Sequence, residues 1–179
     1  IYDFKERIKI NSNYIDENFI VDFVNDNYEY ILKNDLSFFE ISFAISLCYF
    51  RLKKPEYSII EVGLGGRLDA TNIIKPLISI ITNIGFDHKK FLGNNLVDIA
   101  KEKAGIIKNG VPVVIGESNT VLNNIFESTA LRNNSKIYYA NKTNKIYETD
   151  LNGSYQNKNI NTAVLAVNNI FSFEINEAK

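Results

Sequence analysis

Three short aliphatic runs, Tyr57-Ser-Ile-Ile-Glu61, Leu77-Ile-Ser-Ile-Ile81-Thr82 and Val111-Pro-Val-Val-Ile115, each passing into a loop or a stretch of helical spacing, constrain the fold more than any other feature. Near-continuous apolar runs belong to strands covered on both faces, as in parallel sheets. The chain is therefore expected to adopt an α/β fold: three layers, a mainly parallel sheet with helices on both faces. In open sheets of this kind ligands bind beyond the carboxyl ends of the strands. Function is thus sought in the residues just beyond each run.

Around the strands the pattern is helical. Phe4 to Asn11 alternates charged and apolar residues, which predicts a half-exposed strand, with a turn at Asn11-Ser-Asn13. From Asp16 to Lys33, the positions Phe19, Ile20, Phe23, Val24, Tyr28, Ile31 and Leu32 predict one helix face. Ser37-Phe-Phe-Glu40 has the form of a capping box, and the helix it opens is apolar on most sides and expected to be buried, Cys48 included. Lys53-Lys54-Pro55 ends it. Further helices are expected from Asn95, from Asn119 to Leu131, and from Gln156, the last burying Ile160, Ala163, Val164, Val167 and Ile170. Lys136 to Ala140 and Lys145 to Glu148 read as short strands, and Asn152-Gly153 as a turn. No repeat, low-complexity linker or internal boundary divides the chain.

At 179 residues and 45% hydrophobic, the chain can bury a core of ordinary domain size. Its 20 basic and 21 acidic residues leave a net charge of -1. That balance carries no footprint of nucleic acid or an anionic membrane and points to small-molecule partners. A single cysteine rules out a disulfide framework and reads as intracellular. No run approaches the roughly 20 apolar residues of a membrane span, so a cytoplasmic location is expected. The chain contains no methionine. Ile1 is therefore not a translation start, and the chain is expected to be part of a longer one.

Two of the apolar runs lead into residues that carry chemistry. The first ends at Glu61 and passes into Gly63-Leu-Gly65-Gly66-Arg67-Leu-Asp69-Ala-Thr71-Asn72; the second passes into Asn83-Ile-Gly85-Phe-Asp87-His88. Parallel neighbours would place Glu61 and His88 on one rim. A carboxylate and an imidazole suit magnesium or manganese near phosphate, and the imidazole also suits zinc. The plain alternative is an exposed carboxylate and a loop histidine. Lys103 shares a helix face with Leu96, Ile99 and Ala100. Burial of an ammonium favours a neutral amine, which can pair with a carboxylate, act as a base or take up carbon dioxide as a carbamate. A buried stem with an exposed head is the alternative. The glycine string lacks the third glycine of a dinucleotide fingerprint, and no Gly-x-x-x-x-Gly-Lys-Ser/Thr loop is present.

Taken in order, Glu6-Arg7-Ile8, Phe38-Phe39-Glu40, Glu61 to Asn72, Gly85-Phe-Asp87-His88, Glu102-Lys103-Ala-Gly105-Ile106 and Tyr155-Gln156-x-x-Asn159 resemble the folylpolyglutamate and dihydrofolate synthases, the folate branch of the Mur ligase family. The resemblance implies the central ATP-binding domain, with a phosphate-binding loop before it and a smaller domain after it. It implies Glu61 and His88 as magnesium ligands and Lys103 as a carbamylated lysine completing a metal site. His88 and Lys103 then serve catalysis. Gln156 and Asn159 match an amide pair beside adenine, with Tyr155 where a histidine often stands. Asp69, Thr71, Asn72 and Asp87 match motif positions without an assigned role. The implied activity joins L-glutamate to dihydropteroate or a reduced folate through an acyl phosphate, using ATP and Mg2+, in a monomer. Competing readings are a cell-wall Mur ligase and a non-catalytic binding module without the phosphate loop. The Gly-Gly-Arg-Leu-Asp-Ala-Thr-Asn string favours the folate branch. By itself this stretch of chain is expected to bind ATP weakly and to catalyse nothing.

Overall fold

The computed structural model describes residues 2–86, 95–117, 119–142 and 145–171. They form two compact units that divide between Gly63 and Leu64.

The first unit opens on a 3-10 turn, Phe4–Arg7, where alternation predicts a strand. Asp3 and Glu6 form a capping box that satisfies the backbone donors of this turn, and local capping prevails over the alternating pattern. Only Lys9–Ile10 (β1) is extended, pairing antiparallel with Asn13–Tyr14 (β2) around Asn11, whose φ is 54°. The predicted long helix is two, Glu17–Asp26 (α1) and Tyr28–Lys33 (α2). They part at Asn27, whose side-chain amide donates back to the Phe23 carbonyl at 2.8 Å and competes with the backbone ladder. Phe38–Lys53 (α3) starts at the expected capping box, with the Ser37 N–H donating to Glu40 Oε2 at 2.8 Å, and stops at Lys54 in the left-handed region.

Ile8, Ile15, Ile45 and Tyr49 make the core of this unit, with the Phe19 ring edge-on to Tyr49 at 5.2 Å. Helix α3 buries one face only: Phe38 and Leu52 are exposed, and so is Cys48, against its expected place in the core. At about 100° per residue, Cys48 lies about 200° round the helix from the buried Ser46. The strand expected through Glu61 is not formed either, and Ile59 is 97% exposed. An extended segment becomes a strand only through a ladder partner. Among the described residues of this unit, β1 and β2 pair with each other alone.

In the second unit Ser79–Ile81 (β3), Val113–Ile115 (β4) and Ile137–Tyr139 (β5) form a parallel sheet in the order β3-β4-β5. Ile81, Ile115 and Tyr139 share a register position. Leu96–Ala104 (α4) precedes β4, and Thr120–Arg132 (α5) joins β4 to β5. The two helices pack together over Val113 and Ile115, burying Ala100, Ala104, Leu122, Phe126 and Ala130. Val114 points to the opposite face by strand alternation and is equally buried, and Gln156–Ile170 (α6) packs against β4. The sheet thus carries helices on both faces, the expected architecture. Ile80 of β3 is 40% exposed, so full coverage holds for β4 rather than β3.

Lys145 to Glu148, expected as a strand, has no ladder. Its backbone groups are held instead by side-chain amides of α6: Asn161 donates to the Lys145 carbonyl at 2.8 Å, and the Tyr147 N–H donates to Asn157 Oδ1 at 3.3 Å. Accordingly α6 buries Asn161; Thr162 and Ala166 are buried too, while Ala163, expected on the buried face, is exposed.

Two outcomes test this packing. Phe126→Ala should cost about 3–5 kcal/mol, whereas Leu131→Ala at an 83% exposed position should stay within about 0.5 kcal/mol, both read by urea unfolding. The hydrogen bonds from Ser37 hold the Glu40 carboxyl below the ordinary carboxylate range. The contribution of the ionised box is therefore complete above that range and lost as pH falls through the lowered value. In Ser37→Ala, hydrogen exchange of the first α3 turn should be faster at neutral pH and lose that acid dependence.

Candidate functional site

The glycine string and the end of α4, read separately in the sequence, are one structure. Asp69 shapes the loop: its carboxylate accepts from the Leu64 N–H at 2.8 Å, from the Thr71 N–H at 2.9 Å and from the Thr71 hydroxyl, and it caps the 3-10 turn Ala70–Ile73. The last carbonyls of a helix have no i+4 partner within it; here those of Glu102, Lys103 and Ala104 accept from the Gly105, Ile106 and Ile107 N–H groups, and the loop adds to them. The Arg67 N–H donates to the Glu102 carbonyl at 2.9 Å, and Asn72 Nδ2 donates to the Gly105 carbonyl at 3.1 Å and to the Arg67 carbonyl at 3.0 Å. The Arg67 guanidinium reaches Glu102 Oε1 through Nε at 3.1 Å and Nη2 at 3.0 Å. Lys108 closes the ring by donating to the Asn72 carbonyl at 2.6 Å. Asn72 Oδ1 is left buried without a partner among the described residues.

Two glycines make the approach possible. A Cβ on Gly66 would stand 2.8 Å from the Glu102 carbonyl oxygen, 2.9 Å from Ile106 Cγ2 and 3.2 Å from Lys103 Cα. A Cβ on Gly105 would collide with the backbone and Cβ of Arg67. The loop backbone therefore lies directly on the turn that carries Lys103. Lys103 itself is half-buried beside the buried Ile99, Ala100 and Ala104. Its ammonium has no hydrogen bond or ion pair among the described residues, whereas its neighbour Lys101 lies 3.8 Å from Asp98.

Of the other expected site residues, Glu61 is exposed, outside any helix or strand, near the end of the first unit. Asp87 and His88 lie outside the described residues. Among the described residues no three His, Cys, Asp or Glu side chains gather to hold a metal ion, and His88 is not in that set. Gln156 and Asn159 stand in the first turn of α6 and pair with each other, Nδ2 to Oε1, at 3.2 Å. Sequence reasoning brought out Asp69, Thr71, Asn72 and Lys103; it missed the structural parts of Arg67, Glu102 and Lys108. The first two lie inside the recognised strings, while nothing in the sequence marks Lys108.

A family model for the Mur ligase middle domain matches residues 20–177. The chain is 41% identical over 123 residues to the folylpolyglutamate synthase of Lacticaseibacillus casei, covering 65% of this chain and 29% of that protein. The solved folylpolyglutamate synthase of Thermotoga maritima superposes with a TM-score of 0.81 at 30% identity, over 98% of this chain and 46% of that one. A solved bifunctional folylpolyglutamate synthase/dihydrofolate synthase with Mn, AMPPNP and L-glutamate bound matches with a TM-score of 0.69 at 31% identity, over 77% of this chain and 34% of that one. The chain thus spans well under two thirds of the length of each. No helix among the described residues is long and apolar enough to cross a membrane.

Gly66→Ala should cost about 1–3 kcal/mol by forcing the loop off α4. Asp69→Ala, which strands two backbone N–H groups, should cost a similar amount, about 1–3 kcal/mol. Denaturant midpoints measure both, and faster exchange of the Arg67 amide would locate the damage at the loop.

Proposed function

The chain belongs to the Mur ligase middle domain family, and from that premise we propose that it is the central ATP-binding part of a ligase that joins L-glutamate to dihydropteroate, a reduced folate, or both. The observation that carries this reading is the docking of the Gly66-to-Asn72 string on the Glu102-to-Ile106 turn. The string that favours the folate branch over a cell-wall ligase is the one that frames Lys103. The phosphate-binding loop and a second domain are supplied by other parts of the polypeptide, which works in the cytoplasm as a monomer.

In the proposed reaction a substrate carboxylate oxygen attacks the γ-phosphorus of ATP and ADP leaves. The amine of L-glutamate then attacks the acyl phosphate carbon, the amide bond forms, and phosphate departs with loss of a proton from nitrogen. Glu61 and His88 would hold magnesium, with Lys103 as a third oxygen donor once its amine has added carbon dioxide and lost a proton. A carboxylate, an imidazole and a carbamate are a donor set suited to a hard divalent cation. Bound there, Mg2+ supplies electrostatic stabilisation of the negative charge that builds on phosphoryl oxygens. The half-buried Lys103, held in place by the docked loop, meets the need for a fixed ligand. Gln156 and Asn159 take the adenine end of ATP. Asp69, Thr71 and Asn72 act through the loop they build, and Asp87 adjoins His88 in the sequence.

The test is ADP release by the complete polypeptide with magnesium, ATP and L-glutamate, offered dihydropteroate, a reduced folate or a muramyl precursor in parallel. Release that depends on a pterin substrate is the expected result; release with the muramyl precursor alone overturns it. Lys103→Ala should lose activity and regain part of it with added short carboxylates. Unchanged turnover without additive would remove the carbamate from the scheme.

A further inference from the structure

The first turn of α6 is held by groups other than the two amides that the proposed function assigns to adenine. Lys158, between Gln156 and Asn159, reaches past the sheet rim to Glu117, with Nζ 2.6 Å from Oε2. Glu117 stands just beyond the carboxyl end of β4, on the side where open α/β sheets bind ligands. Its backbone is pinned there: the Gly116 N–H donates to the Ile81 carbonyl and the Glu117 N–H to the Thr82 carbonyl, each at 2.8 Å. The β3–β4 ladder therefore continues past both strands and fixes Glu117 to the segment that leads on in sequence to Asp87 and His88.

Helix α6 lies against this rim. A Cβ on Gly116 would collide with the Thr82 carbonyl and stand 2.7 Å from Thr162 Oγ1, so bare glycine backbone permits the contact. The Thr162 hydroxyl donates to the Lys158 carbonyl at 2.8 Å, which ties the contact back to the residue that bears the ion pair. Packing at Thr162 fixes how near α6 comes. The Lys158–Glu117 pair is a second link between its exposed first turn and the strand ends.

We propose that Lys158 and Glu117 are positioning residues for the nucleotide: their ion pair sets Gln156 and Asn159 at the right height and angle over the β3–β4 rim. The inference rests on the adenine role of that amide pair. A partly exposed ion pair contributes modestly, so its loss should loosen nucleotide binding rather than abolish catalysis.

The experiment uses the complete polypeptide, with Lys158→Glu, Glu117→Lys, the double exchange, Lys158→Gln as a milder variant, and Gln156→Ala and Asn159→Ala as references. The dissociation constant of a fluorescent ATP analogue and the KM and kcat for ATP are read together, with melting curves to verify folding. Each single charge reversal should raise the nucleotide dissociation constant and KM about threefold to fivefold, with a smaller change in kcat. The double exchange should restore both, and high salt should bring the wild type toward Lys158→Gln. Unchanged constants in the reversals, or a double exchange as impaired as the singles, overturns the proposal. If the amide variants weaken nucleotide and the reversals do not, the pair's role falls and the adenine assignment stands. If the amide variants change nothing, the adenine assignment falls, and a reversal effect would then mean that Lys158 meets ATP directly. Absence of nucleotide binding in the wild type overturns both.

Discussion

The glycine loop docks on the last turn of α4, where it gives the Glu102 carbonyl a second donor and the Gly105 carbonyl a side-chain one. That docking explains a run of residues that otherwise share no chemistry. Arg67 must bring its N–H to Glu102 and Asn72 its amide to Gly105, so Asp69 has to bend the chain between them. Gly66 and Gly105 have to be bare because the two backbones touch. Lys103 is carried by this joint, and it is half-buried beside Ile99, Ala100 and Ala104.

The same logic divides what could be read in the sequence from what could not. The strand β4 was legible because burial on both faces demands an unbroken apolar run, β3 because its run is as apolar although one face is only partly covered, and Ser37-x-x-Glu40 because a capping box is complete within four residues. Tyr57 to Glu61 and Lys145 to Glu148 have strand composition, but a strand needs a partner, and composition does not name one. The exposure of Cys48 escapes the sequence for a related reason: α3 is apolar on more sides than its unit covers, and nothing in its spacing says which side is left in water. At the site, the residue types in the recognised strings were visible but their pairing was not. Arg67 meets Glu102, and Asn72 meets Gly105 and Lys108, across long stretches of chain. The only local signal was that both strings are rich in groups that need partners.

Helix α6 shows polar burial used constructively. Its amides Asn157 and Asn161 bond the backbone of Lys145 and Tyr147, which places polar groups on the covered face of the helix and anchors the segment. The hydroxyl of Thr162 then meets a strand end made accessible by Gly116. The side chains of Gln156 and Asn159, by contrast, pair with each other and hold no part of the sheet among the described residues.

The exposed position of Cys48 has a practical consequence. It is the only cysteine in the chain, and it lies on an outward face of α3, clear of the Ile8–Tyr49 core. Thiol-directed reagents therefore have one address, in the unit that carries Glu61 and not in the unit that carries Lys103. A fluorophore or spin probe attached there marks the first unit without any substitution, and a second probe on α6 would turn the division at Gly63–Leu64 into a measurable distance.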